Sequence, residues 1–159
     1  MKRMILAAAA AALALACCGS AESSEGSAIE TTAPAQQAHT ELVIRKSDIT
    51  ETAKFYPITV DGTDMEVLAV KDSKGGIRTA FNTCQSCYTS GNGRYELEGT
   101  DLVCQNCGFH FTADQIGEGK NGGCSPWAIG ADERTDTADA VTIPYDLLVS
   151  SKNIFAEWK

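Results

Sequence analysis

The chain has 159 residues, with 13 Lys+Arg against 21 Asp+Glu and a formal net charge of −8. That balance speaks against a nucleic-acid partner, which needs a basic face. Without Lys2 and Arg3 the count is 11 against 21, a net charge of −10, so no basic patch is left to hold anionic lipid.

The first elements in chain order are not part of a folded domain. Lys2 and Arg3 precede an unbroken apolar run over residues 4–16, mostly Ala and Leu. Thirteen residues are too few to span a bilayer comfortably, but they suit the apolar region of a secretory signal. The run ends in Ala14-Leu15-Ala16-Cys17, which resembles a bacterial lipobox. The expectation is a signal peptide over 1–16, cut before Cys17, with Cys17 lipidated. The alternative is an ordinary signal peptide cut near Ala16. Residues 19–40 are rich in Ser, Ala, Glu, Thr and Gln and contain no aromatic residue, so they cannot bury enough apolar surface to fold. As a flexible tether they would reach roughly 25 Å. Residues 17–40 therefore read as anchor site and linker, and the protein is expected at the cell envelope, extracytoplasmic and lipid-anchored. Membrane contact would come from the anchor.

One domain is expected over residues 41–159. Residues 54–60 carry Phe55, Tyr56, Ile58 and Val60, and Asp61-Gly62 is a turn signal. Residues 65–70 are nearly continuously apolar, 72–76 form a second turn, and Ile77, Thr79 and Phe81 then alternate with Arg78, Ala80 and Asn82. This pattern predicts an antiparallel meander that feeds directly into Cys84. Two short strands around Gly99-Thr100-Asp101 would deliver Cys104. Phe109 and Phe111 flank His110 in strand-like alternation, and Thr112 can cap one helical turn. Residues 117–123 hold four glycines and read as loop. Residues 131–139 are acidic and turn-rich, 141–143 a strand, and 145–158 a short helix followed by a strand-like tail. Trp127, Trp158, Phe55 and Phe81 read as core. The fold class is mainly β (small α+β): an antiparallel meander plus a cysteine-rich hairpin of zinc-ribbon or rubredoxin-like knuckles.

Cys84-x-x-Cys87 and Cys104-x-x-Cys107 are separated by sixteen residues, and Cys124 follows after sixteen more. Disulfides are possible in an exported chain, but five domain cysteines are an odd number for staples. A two-residue gap lets both sulfurs of a pair point at one metal about 2.3 Å away, and two such pairs supply a tetrahedral set. Gly108, just after Cys107, permits a tight knuckle with backbone N–H groups aimed at sulfur. Tyr88 stands where that glycine would sit in the first pair, making it the less regular half. Cys124, behind Gly122-Gly123, is a further ligand, a replacement ligand or a redox-active thiol, or else a buried inert cysteine. His110 is either a partly buried structural residue or a group near the sulfurs. No Ser/His/Asp arrangement, phosphate loop or paired carboxylates point to catalysis. The spacing speaks for a metal without selecting which. Thiol–disulfide exchange is the enzymatic alternative, although its usual site is a helix N-terminus rather than a hairpin. A zinc-stapled binding module is the structural one.

The segments IRTAFNTCQSCY, LVCQNCGFHF, IGEGKNGGCSP and FAEWK together resemble the FtrD-like family of membrane iron–sulfur-containing proteins. The resemblance covers roughly residues 41–159. It implies Cys84, Cys87, Cys104, Cys107 and Cys124 as metal-binding residues, iron or an iron–sulfur cluster as cofactor with zinc as the alternative, and a role in iron handling or electron transfer beside an iron-transport or redox membrane protein. Two positions depart from the family pattern: Ser125 stands where Asn usually follows the last cysteine, and His110 is not a fixed family position. The start, Met1-Lys2-Arg3-Met4, has a single arginine rather than the pair that exports folded proteins. General export delivers empty thiols, which favours zinc or a single iron acquired outside the cytoplasm.

Overall fold

The computed structural model of the chain describes residues 40–117 and 123–159. The expected signal peptide, Cys17 and the linker up to residue 39 lie outside the described residues, as do 118–122 of the glycine-rich loop. Among the described residues the strands are β1 (Leu42–Arg45), β2 (Lys54–Val60), β3 (Thr63–Lys71), β4 (Ile77–Cys84), β5 (Tyr95–Glu98), β6 (Asp101–Cys104), β7 (His110–Phe111), β8 (Pro126–Ile129), β9 (Thr135–Asp136) and β10 (Ala140–Ile143), before a short helix α1 (Tyr145–Ser150). They form three antiparallel sheets, ordered β1-β10-β9, β2-β3-β4-β8 and β5-β6-β7.

The meander forms as its turns dictate. Asp61 and Gly62 take φ of 45° and 78°, the left-handed pair that matches the twist of a two-residue hairpin, and Val60 faces Thr63 across it. β3 reads as a continuous apolar run because it is buried on both faces. Met65, Val67 and Ala69 enter one core, with Phe81, Ile129, Val141, Ile143, Leu148, Phe155 and Trp158. Leu68 and Val70 enter a second core with Ala80, Tyr95, Leu102, Ile116 and three of the cysteines, Cys84, Cys87 and Cys104. The central sheet thus separates an apolar half from a cysteine half, and the alternation of β4 sends Phe81 to one and Ala80 and Cys84 to the other.

The expected meander gains a fourth strand, β8, paired along β4 with a register shift between Phe81 and Cys84. Pro126 opens this edge strand, a position where a missing N–H costs nothing. The shift sets Cys84 opposite Pro126, two residues after Cys124. The expected helical turn near Thr112 is a 3-10 turn over Ala113–Gln115, and the Gln115 side chain accepts the Thr112 N–H at 2.9 Å.

The strand-like tail is a correction. After α1 the chain forms a 3-10 helix, Lys152–Phe155. Ile154, Phe155 and Trp158 are the residues it and the following turn bury. That spacing is helical rather than alternating.

At the β3–β4 turn, Asp72 accepts the N–H groups of Lys74 and Gly76 at 3.0 and 2.7 Å and the Arg78 Nε–H at 2.9 Å. The Arg78 guanidinium, then the Gly76 N–H, hold its carboxyl below the ordinary range. A depressed carboxyl stabilises the fold above its unfolded value of about 3.9 and loses that contribution as pH falls through the folded value. Urea midpoints followed from neutral pH into acid are expected to fall below about pH 4, with a shallower fall for Asp72→Asn.

Candidate metal centre

Each Cys-x-x-Cys pair sits where a strand ends. Cys84 closes β4, and its N–H donates to the Gly93 carbonyl at 2.8 Å; its own carbonyl accepts the N–H groups of Cys87 and Tyr88 at 3.1 and 3.0 Å. Cys104 closes β6 in the same way, its N–H donating to the Phe109 carbonyl at 3.0 Å and its carbonyl accepting the Gly108 N–H at 2.8 Å. Gly108 takes φ 70°, so the second knuckle turns back at once. Tyr88 makes the equivalent hydrogen bond without a left-handed φ. The first knuckle therefore returns only at Gly93, after Gly91 at φ 76°.

The knuckles are joined to each other and to the Cys124 segment. The Gln105 N–H donates to the Arg94 carbonyl at 2.9 Å, and the Asn92 side-chain amide donates to the Gln105 carbonyl at 2.8 Å. The Gln85 N–H donates to the Ser125 carbonyl at 3.0 Å, and the Gln85 side chain to the Pro126 carbonyl at 3.2 Å. Gly93 lies tight against the first knuckle: a Cβ there would stand 2.6 Å from the Cys87 carbonyl oxygen and 2.9 Å from the Tyr88 Cα. Backbone cannot yield as a side-chain tip can. Gly93→Ala is expected to cost about 1–3 kcal/mol and to loosen metal retention, measured by urea midpoints of the loaded and stripped protein.

These connections gather the five domain cysteines as free thiols. The sulfurs of Cys84, Cys87 and Cys104 lie within 4.8 Å of one another, as do those of Cys87, Cys107 and Cys124. Cys84, Cys87 and Cys104 are buried, Cys107 is exposed and Cys124 is half-buried. Burial pushes the Cys104 thiol up, although the N–H groups of Cys107 and Asn106 point at its sulfur. Burial also raises Cys87, against a hydrogen bond from the Asn106 side chain. Cys124 is pushed up to about 12, first by its hydrogen bond with Cys107 and then by burial. Cys107 moves the other way: burial opposes its thiolate, but the Phe109 N–H and the thiols of Cys124, Cys104 and Cys87 outweigh it. Without a metal the surroundings thus favour the thiolate at Cys107 and the protonated thiol at Cys87, Cys104 and Cys124. A metal would replace those protons, so its uptake releases them.

Two residues that sequence reasoning passed over belong to this site. Tyr95 is buried, and its hydroxyl donates to the Cys124 carbonyl at 2.8 Å. Burial, then contact with the Cys84 sulfur, raises its phenol strongly. Asn106, inside the second knuckle, aims its amide at Cys87. A carboxamide between two ligand-type cysteines was a visible signal; nothing in the type or spacing of Tyr95 marked it. His110 is placed differently from its expected half-buried setting. Phe111 packs its ring on Tyr95, with centroids 5.9 Å apart, so alternation turns His110 outward. It is 53% exposed, with Nδ1 3.4 Å from Asp101 Oδ2, and it belongs to neither thiol trio.

The fold and site define a mainly antiparallel β domain, in the small α+β class, carrying a cluster of thiols able to hold metal. Residues 49–155 match the family described as membrane iron–sulfur containing protein FtrD-like, and the chain belongs to that family. No curated protein and no solved structure matches the chain. Among the described residues no helix is long and apolar enough to cross a membrane.

The thiol spacing bears on what the site can hold. An ion with metal–sulfur bonds of about 2.3 Å in tetrahedral geometry sets its sulfurs roughly 3.8 Å apart. Trios within 4.8 Å suit single thiophilic ions such as iron or zinc.

Proposed function

We propose that the protein binds metal, iron foremost, through Cys84, Cys87, Cys104, Cys107 and Cys124. In this reading it serves iron handling or electron transfer beside a membrane transport system, held at the outer face of a membrane by lipid on Cys17. One observation carries the reading: the Cys87 sulfur lies within 4.8 Å of the sulfurs of all four other cysteines. Membership of an iron–sulfur family agrees with it. Thiolate ligands stabilise ferric iron, and hydrogen bonds to sulfur tune its potential. Here those bonds come from the knuckle N–H groups and Asn106. The thiol-exchange alternative is weaker, since both pairs lie in strand-end turns and α1 contains no cysteine.

The test is metal content and visible absorption of the full chain, purified without oxygen from the membranes of an export-competent host. Stoichiometric iron with charge-transfer bands supports the reading. Colourless zinc moves it to a zinc-stapled binding module. No metal, with two disulfides and one free thiol in the domain, overturns it in favour of thiol exchange. Cys17→Ala is expected to shift the chain from the membrane to the soluble fraction.

A further inference from the structure

We propose that the five thiols hold two single metal ions bridged by the Cys87 sulfur, rather than one four-cysteine site with a fifth thiol beside it. The inference rests on the metal-binding reading above. The two trios, Cys84/Cys87/Cys104 and Cys87/Cys107/Cys124, share one member. Three thiols for each ion with one shared accounts for all five. The grouping also cuts across the pairing in the sequence. The inner trio takes both cysteines of the first knuckle and the first of the second; the outer takes the second cysteine of each knuckle and adds Cys124.

Charge and hydrogen bonding agree with this grouping. Two divalent ions against five thiolates leave a single negative charge, whereas one ion held by four thiolates leaves two, with the fifth thiol still protonated, in a largely buried place where uncompensated charge is costly. A thiolate sulfur has lone pairs enough to bond two ions at once, and the side-chain amide of Asn106 hydrogen-bonds the sulfur in the bridging position. Tyr95 fixes the outer trio to the inner, since its buried hydroxyl touches the Cys84 sulfur and donates to the Cys124 carbonyl at 2.8 Å. The two positions differ in access. Cys84, Cys87 and Cys104 are 0%, 6% and 0% exposed, while Cys107 is exposed and Cys124 half-buried. The inner ion is therefore the retained one, and the outer ion the one that exchanges with solvent or a partner.

The experiment is a titration of the full chain, metal-stripped and oxygen-free, with Co(II) alone. Sulfur-to-cobalt charge-transfer absorption is expected to rise to two equivalents. The magnetic moment per cobalt should fall as the second enters, because a shared thiolate couples the two ions. Cys124→Ser is expected to keep one tight equivalent with an undiminished moment, and Cys87→Ser to abolish the coupling. One equivalent in both the native chain and Cys124→Ser overturns the two-ion inference and leaves the metal-binding reading standing. Two equivalents with no fall in moment overturn the bridge, and stoichiometric acid-labile sulfide in the protein as isolated overturns the single-ion arrangement. Failure to bind cobalt tightly overturns this inference and the metal-binding reading together.

Discussion

Trp158→Ala is expected to destabilise the domain by about 3–5 kcal/mol, the range for emptying a buried aromatic site. Trp158 is 4% exposed, packs edge-on against Phe155 with ring centroids 5.1 Å apart, and donates its indole N–H to the Asn82 carbonyl at 2.5 Å. The effect should reach the thiols. Asn82 lies on β4 two residues before Cys84, and its side chain accepts the Tyr95 N–H at 2.8 Å and donates to the Tyr95 carbonyl at 3.2 Å. The ring therefore supports, from the apolar side of the central sheet, the residue that joins β4 to the cysteine half. Urea unfolding measures the loss of stability, and hydrogen exchange at the Tyr95 amide measures its transmission. A loss below about 1 kcal/mol would mean that the neighbouring side chains close over the site.

Removing metal is expected to act on one half of the molecule. Structural zinc contributes an apparent 10–16 kcal/mol in zinc-finger peptides, more than any single side chain discussed above. Of the thiols proposed to bind metal, Cys84, Cys87 and Cys104 belong to the second core, with Tyr95, Leu102 and Ile116, and Cys124 packs against it. The first core contains no cysteine. Chelation should therefore open β5, β6, β7 and both knuckles, while amides of β2, β3 and β10 keep their protection, as expected where local stability differs between cooperative units. Hydrogen exchange of the loaded and chelated protein, read segment by segment, decides the matter. Equal loss in every segment would make the domain one cooperative unit. No loss anywhere would show that the fold does not depend on the metal.

Much of the strand framework was legible because its causes are local. Asp61-Gly62 demands a tight hairpin wherever it stands between apolar alternations, and Gly108 permits the knuckle after Cys107. The C-terminal segment was misread as strand-like because the pattern of Ile154, Phe155 and Trp158 is short and the element is a 3-10 turn held by packing. β1 and β9 were not foreseen, since β9 has two residues and β1 pairs with a strand almost a hundred residues away.

The candidate site divides along the same line. Residue type and spacing by themselves determined that Cys84, Cys87, Cys104 and Cys107 could be brought to one centre, because a two-residue gap and a following glycine are local geometric facts. The resemblance to the FtrD-like family was legible as well, in four segments of the sequence, three of them carrying the cysteines. Only the tertiary structure decided which sulfurs are neighbours. The β4–β8 pairing and its register shift bring Cys124 to the cluster, the packing of Phe111 on Tyr95 leaves His110 facing outward, and the fold places the Tyr95 hydroxyl between Cys84 and Cys124. Spacing along a chain constrains neighbours within a turn, whereas contacts across sheets depend on register and on which face of a strand is buried, and those are settled by the whole core at once.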